Sequence, residues 1–483
     1  MDKDCFQKNI FFEVLDGYSF QPEGGRAAFY FFDYLLIKQY SLENKDWPIG
    51  EINTVSSYTE HNAKWFRIHR NQTEYSKVLE NFIKNPRLIN KLFRYLDKNR
   101  KTAIKILPHK DFSSLTNEEL IEVFSLGVNY FYKILRPSSV IRMIDLGIIS
   151  EFKKVFANNS EVIPIISANQ KISFALSEET ELLALALWIN KKGYRIDDLK
   201  VLRRLSKIRK KYCFSELGYY NEKIKTESDY LERLNKIITD GSIELKLKQI
   251  KQNQKNFLKK RKEFLKTLDK RTKVVAKIAS EISFVKDFYK YSMNQVINSA
   301  EPLFVEISNR TNRTIDYLKD LSPEEIKNII NRKPIDEKLI AERISNHVLI
   351  TFKKQFYVLL GADAETFKQK YLSIDKTSKV FKGRCASMGQ VKGKAKVILC
   401  PKDFDKMENG DILVVMNTSP DFTPILKKAA AIVAEEGGLT AHVSIVSREM
   451  KIPAVVGVAH ITEILKDSDL VEVDAASGII RKL

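Results

Sequence analysis

From Ser242 to Ala300 the chain contains neither glycine nor proline, and apolar side chains recur there at alternating three- and four-residue spacing. Ile243, Leu247, Ile250, Phe257, Phe264, Leu268, Val275, Ile278, Ile282 and Val285 carry the stripe, with polar gaps at Gln254, Arg261 and Arg271. That period keeps one face of a helix apolar over many turns. One long helix over about 243–290, or a bent pair, packed against other helices, is therefore expected. The stripe reads as core packing rather than as a binding site.

Glycine divides the chain. Residues 1–375 hold ten glycines, and the much shorter stretch 376–483 holds eight. Tight turns between strands use glycine where helices avoid it. The expected fold is multidomain: a mostly α-helical N-terminal region over 1–375, a linker over 376–382 and a small α/β domain over 383–483. Helix starts are marked at Thr116-Asn117-Glu118-Glu119 and Ser322-Pro323-Glu324-Glu325, both with the spacing of a capping box. Ser177-Glu178-Glu179 is expected to open another helix, apolar through Leu182, Leu183, Leu185 and Leu187. Gly24-Gly25-Arg26 reads as an isolated turn.

With 483 residues there is room for two to four domains. Cys5, Cys213, Cys385 and Cys400 lie far apart, so neither a disulfide framework nor a zinc site is expected. The amino terminus lacks a basic segment leading into an apolar core, and no apolar run approaches the roughly 18 residues of a membrane span. The expected home is the reducing cytoplasm, without membrane contact. The formal charge is +20, and half of that excess sits between Lys246 and Lys273, where twelve basic residues face only Glu263 and Asp269. This reads as the solvated face of a long helix or, alternatively, as a surface for nucleic acid or an acidic partner. No interleaved aromatics accompany it, so nucleic acid is not the expected partner.

Residues 435–457 are the densest in chemistry. Gly437 and Gly438 free the backbone for close approach to a phosphate. Thr440 is placed to cap a helix starting at Ala441, which sets His442 in the first turn, where free N–H groups and the helix dipole favour an anion. The helix runs apolar through Val443, Ile445 and Val446 and is expected to end near Lys451, because Pro453 follows. Ala454-Val455-Val456-Gly457 reads as a buried strand. An imidazole so placed suits a nucleophile that becomes phosphorylated. The preceding Glu435-Glu436 pair reads either as a contact for cations or as exposed charge.

This stretch resembles the phosphohistidine (swivelling) domain of the phosphoenolpyruvate-utilising enzymes, a group that includes phosphoenolpyruvate synthase, rifampicin phosphotransferase and phenylphosphate synthase. The family's Gly-Gly-x-Thr-x-His, its Arg-Glu pair and its Ile-Pro-Ala-Val-Val-Gly are all met. Upstream, Gly383-Arg384-Cys385-Ala386-Ser387-Met388-Gly389, Val391–Val397, Gly410–Val415 and Thr418-Ser419-Pro420-Asp421 are similar to the domain's earlier strands and loops. The resemblance covers about 380–483. It implies that His442 carries the phosphoryl group and that Gly437, Gly438 and Thr440 hold its oxygens.

A looser likeness, over about 276–343, is to the helical segment preceding that domain in rifampicin phosphotransferase and phosphoenolpyruvate synthase-like proteins. It rests on Lys286-Asp287-Phe288-Tyr289, Pro302-Leu303-Phe304 and Tyr317–Ser322. It implies that the N-terminal region binds a small-molecule phosphoryl acceptor, whose contacts the sequence does not name.

Family members that use ATP carry an ATP-grasp domain, and those that use phosphoenolpyruvate carry a barrel. Neither is legible here. The resemblance therefore implies a phosphotransferase component that is incomplete without an ATP-grasp partner in trans. No tightly bound cofactor or metal is expected in this chain, with ATP and Mg²⁺ belonging to the partner. Two alternatives stay open: a phosphohistidine carrier or regulatory protein without acceptor chemistry, and a basic helical scaffold for nucleic acid. His61 and His69, near Trp65, Phe66 and Arg67, read as structural or as lining the acceptor pocket. His109, His347 (in a helical stretch) and His460 are assigned no chemistry.

Overall fold

The computed structural model describes residues 19–27, 30–39, 54–59, 62–69, 74–107, 111–156, 165–166, 173–215, 217, 224–372, 377–399, 401–418, 422–435 and 442–483. The N-terminal region is mostly helical, as expected. It contains α1 (Tyr30–Lys38), α2 (Glu74–Lys84), α3 (Arg87–Ile106), α4 (Asn117–Leu135), α5 (Pro137–Phe156), α6 (Phe174–Lys192), α7 (Leu199–Tyr212) and α8 (Glu227–Asp240). These are followed by α9 (Ile243–Lys266), α10 (Lys270–Thr311), α11 (Ile315–Lys319), α12 (Pro323–Ile330), α13 (Glu337–Ser345) and α14 (Gly361–Tyr371).

The apolar stripe forms a pair of helices, α9 and α10. Asp269 separates them because its carboxylate accepts hydrogen bonds from the Arg271 and Thr272 backbone amides at 2.8 and 3.0 Å, which is the geometry of a helix start. Helix α10 is the spine of the main core, packed on α3, α4 and α5, and it buries Val275, Ile278, Ile282 and Val285. Arg261, expected as a polar gap, is instead buried beside the α9–α10 break. Its Nη2 donates to the carbonyls of Ile166 and Ala276, both at 3.2 Å. Helix α9 also joins this core to a second one formed by α6, α7 and α8.

Both expected capping boxes are present, at Thr116 with Glu119 and at Ser322 with Glu325. The third helix start differs. Helix α6 begins at Phe174 with Ser173 as its cap, and Ser177 sits one turn inside, its hydroxyl donating to the Ser173 carbonyl at 2.8 Å. The preference of serine for a helix start is satisfied four residues earlier than Ser177. Asp287, on α10, completes that start by accepting from the Phe174 amide at 3.0 Å.

A five-stranded antiparallel sheet, not expected from the sequence, also lies in this region. Its strands β1 (Ser19–Ala27), β2 (Thr54–Thr59), β3 (Asn62–His69), β4 (Asn346–Phe352) and β5 (Gln355–Leu360) lie in the order β1-β3-β2-β4-β5. Gly24-Gly25-Arg26, expected as a turn, belongs to β1 and pairs with β3. His347, expected in a helix, lies on β4 and is fully buried, with its Nδ1 2.7 Å from the Arg343 carbonyl oxygen. Val348, Ile350 and Phe352 pack under α14, while Leu349 joins the main helical core. Each face of β4 is therefore buried.

Where α11 meets α12, Arg343 makes a two-pronged contact with Glu325 at 2.8 and 3.1 Å and donates to the Asp320 carbonyl at 2.9 Å. Burial pushes the neighbouring Asp320 carboxyl up to about 7, against the pull of Arg343. A carboxyl whose folded pKa is raised disfavours folding in its ionised form, so stability falls as pH rises from about 4 to about 7. Asp320→Asn should therefore leave stability unchanged near pH 4 and raise it by about 2–4 kcal/mol at pH 8, measured by urea unfolding. An equal effect at both pH values would refute this.

The C-terminal domain is built on an eight-stranded sheet. Its strands are β6 (Val380–Lys382), β7 (Arg384–Ser387), β8 (Gln390–Ile398), β9 (Ile412–Val415), β10 (Ala431–Ala434), β11 (Ala454–Val456), β12 (Leu470–Asp474) and β13 (Ile479–Lys482). They lie in the order β6-β13-β12-β8-β9-β10-β11-β7. Val380–Lys382, expected within the linker, form the edge strand paired with β13. Strands β8 to β11 are parallel, and β9, β10 and β11 are apolar at every position because both of their faces are covered. Leu413, Val415, Ile432 and Ala434 pack beneath α15 (Thr423–Leu426) and α16 (His442–Met450). Ile412, Val414, Ala431 and Val433 pack with α17 (Ile461–Ile464) and the inner faces of β12 and β13. Among the described residues no helix is long and apolar enough to cross a membrane.

Candidate functional site

In an open α/β sheet, ligands gather at the carboxyl ends of the parallel strands. Here those ends are Ile398, Val415, Ala434 and Val456. His442 is the first residue of α16, the helix that follows β10, and so it stands at that end of the domain. Gly437, Gly438 and Thr440 lie outside the described residues, as do Glu436 and the expected cap of the helix. The helix ends as expected. Lys451 takes a left-handed conformation, its amide donating to Arg448, and Pro453 and β11 follow.

Helix α16 is held firmly from below. Val443, Ser444 and Ser447 are buried, and the Arg448 guanidinium donates to the Ala386 carbonyl on β7 at 3.4 Å. Burial lowers the pKa of Arg448 and raises that of the nearby Cys385 thiol. The upward shift keeps the Cys385 thiol protonated at neutral pH.

Glu435, expected as a contact for cations or as exposed charge, is half-buried and tied within the domain: its Oε1 accepts from the Thr462 amide at 2.8 Å and from the Thr462 hydroxyl. Its own amide donates to the Val415 carbonyl at 3.0 Å. The last residue before 436–441 is thus tied to β9 on one side and to α17 on the other. Glu435→Ala should weaken the domain by about 1–2 kcal/mol, the usual size for a hydrogen bond to a charged group. Faster hydrogen exchange at the Thr462 amide would report the loss, and unchanged exchange would contradict it.

The remaining histidines are dispersed. His460 caps α17 in a left-handed conformation, with Nδ1 3.3 Å from Glu463. His69 ends β3, and His61 and His109 lie outside the described residues. Among the described residues no three His, Cys, Asp or Glu side chains gather as a metal site requires.

Residues 407–478 match the family described as PEP-utilising enzyme, mobile domain. The C-terminal domain is a PEP-utilising enzyme mobile domain. The probable phosphoenolpyruvate synthase of Archaeoglobus fulgidus is 52% identical over 101 residues, 21% of this chain and 13% of that protein. The phosphoenolpyruvate synthase of Pyrococcus furiosus is 38% identical over 133 residues, 26% of this chain and 16% of its own length. The rifampicin phosphotransferase of Bacillus cereus is 29% identical over 265 residues, 54% of this chain and 28% of that enzyme. The chain thus spans less than a third of each relative. The last match is longer than the mobile domain and so extends beyond it. Among solved structures, the aconitase X of Thermococcus kodakaraensis matches at 26% identity over 22% of this chain and 99% of its own, with a TM-score of 0.18.

In this mobile domain, the helix bearing His442 and the anchoring of Glu435 to Thr462 converge on the same end of the sheet. The sequence placed His442 at a helix start, where it is found, but gave no hint of the Thr462 anchor. A threonine 27 positions downstream of Glu435 carries no local signal of that contact.

Proposed function

We propose that this chain is a phosphotransferase component that carries a phosphoryl group on His442. A separate ATP-grasp protein holds ATP and Mg²⁺, and the acceptor is a small molecule bound by the N-terminal region. The observation that carries this reading is the place of His442 at the start of α16, at the carboxyl edge of the parallel strands of a mobile domain. An imidazole nitrogen attacks a phosphoryl phosphorus of ATP, a P–N bond forms, the P–O bond to the nucleotide breaks, and the nucleotide leaves with the bonding electrons. In the second step an acceptor hydroxyl or amide attacks the same phosphorus. The P–N bond breaks, and the acceptor's proton ends on the released imidazole.

Backbone N–H groups at a helix start, together with Gly437, Gly438 and Thr440, would hold the phosphoryl oxygens. Transfer of this kind depends on position and charge more than on covalent chemistry by the protein.

The test separates the histidine from the unidentified partner. The chain is incubated with phosphoramidate, a small chemical phosphoryl donor, and analysed by intact mass and ³¹P resonance. One acid-labile phosphoryl group is expected per chain, absent from His442→Ala. Labelled ATP with a candidate ATP-grasp protein should then give the same adduct. Labelling that persists in His442→Ala, or a wild-type chain inert to both donors, would overturn the proposal.

A further inference from the structure

The basic stretch expected as a solvated face has an order that its composition did not reveal. On α9, Lys248, Lys251, Lys255, Lys259, Lys262 and Lys266 recur at spacings of three and four residues, which places them in one row along the helix, about one turn or roughly 5.4 Å apart. All six are exposed. Among the described residues none of them meets a carboxylate, in contrast to Lys246, which pairs with Asp240 at 2.5 Å.

Like charges three and four residues apart repel along a helix, and among the described residues no ion pair with these six lysines offsets that repulsion. Between Ile250 and Arg261 no side chain of α9 is buried. Where a helix breaks a local rule without compensation, function is the usual reason.

Beside this row lies an open groove of about 580 Å³, lined by Leu258, Arg261, Lys262, Leu265, Lys266 and Lys273. Leu258 is 37% exposed at its edge, and Arg261 is locked by its carbonyl partners. The surface therefore combines a ladder of single-point cations with an apolar strip. We infer that α9 is a docking surface for an acidic amphipathic helix of a partner protein, whose carboxylates match the lysine row turn by turn and whose apolar side chain enters the Leu258–Leu265 groove.

Charge complementarity fixes the sign of the partner, and the groove fixes its class. A single-stranded nucleic acid would use exposed aromatic rings for stacking. Both aromatic rings of α9, Phe257 and Phe264, are half-buried, and the free cations are lysines rather than forked guanidinium groups. The inference is independent of any role for His442.

Three fluorescent probes test it against the full-length chain by anisotropy: a Glu-striped helical peptide with leucine at groove spacing, the same peptide with serine replacing leucine, and a single-stranded oligouridylate. The leucine peptide should bind saturably, with affinity falling as salt rises. Its affinity should drop about tenfold or more in Lys255→Glu/Lys259→Glu/Lys262→Glu and about tenfold in Leu258→Ser. The serine peptide should bind no better to the native chain than to Leu258→Ser. Circular dichroism of these surface variants should match the native chain. Absence of saturable peptide binding at low salt would overturn the inference, as would tighter binding of the oligouridylate that ignores Leu258→Ser.

Discussion

Glu178→Ala should destabilise the chain by about 3–5 kcal/mol and release the α6–α8 cluster before the rest of the protein. The Glu178 side chain is only 4% exposed, yet it accepts from the Tyr230 hydroxyl at 2.6 Å, from Arg233 at 2.7 Å and from Ser215 at 3.2 Å, with Lys225 at 3.3 Å. Burial alone would raise its pKa, but the Tyr230 hydrogen bond and the charges of Lys225 and Arg233 hold it below the ordinary carboxylate value.

Alanine removes the anion and all of these contacts to it at once. Glutamine keeps an acceptor oxygen for the Tyr230 hydroxyl, so Glu178→Gln should cost less than Glu178→Ala. The depressed pKa also sets a pH window. The contribution of Glu178 is present above about pH 4.5 and fades as pH falls through the lower folded value. Urea unfolding monitored at Trp188, which lies in this cluster, provides the measurement. A loss under about 1 kcal/mol for Glu178→Ala would mean the network is ornamental.

The second large effect is expected at Gly389, between β7 and β8. Its φ of +143° is a conformation that side chains rarely adopt, and a Cβ there would lie 2.4 Å from Cγ of Pro453. The proline ring has little freedom to retreat, because its residue immediately precedes β11 and its carbonyl accepts from the Ile432 amide at 2.9 Å. Strain and collision act together, so Gly389→Ala should destabilise the mobile domain by about 3 kcal/mol or more. Met388→Ala, one residue away and 74% exposed, should stay within about 0.5 kcal/mol and serves as the control. Similar melting temperatures for the two variants would contradict the argument.

Legibility in the sequence followed the range of the interactions involved. The capping boxes at Thr116 and Ser322 are written within four residues, and both formed. The end of α16 near Lys451 followed from Pro453 two residues on, and Ala454-Val455-Val456, read as a buried strand, forms β11 with every position buried. The five-stranded sheet left no comparable trace. Its β2 and β4 pair across nearly three hundred residues, and the β4–β5 hairpin turns at Lys353-Lys354, both with positive φ but without the glycine or asparagine that usually marks such a turn. The distant contacts of Arg261 and Glu435 went unread for the same reason. Each residue is charged and locally unremarkable, and each is accounted for by atoms distant in sequence, Ile166 and Ala276 for the one and Thr462 for the other.

The sequence by itself determined the order of the regions, the helical stripe from Ile243 to Val285 and the place of His442 at a helix start, because propensity, periodicity and turn chemistry act between near neighbours. Only the tertiary structure decided that the stripe breaks at Asp269, that β1 to β5 form one sheet, that Glu178 lies buried among cations and that, among the described residues, the lysine row from Lys248 to Lys266 meets no carboxylate. Those outcomes depend on which distant groups meet when water is excluded, and pairing of that kind has no local code.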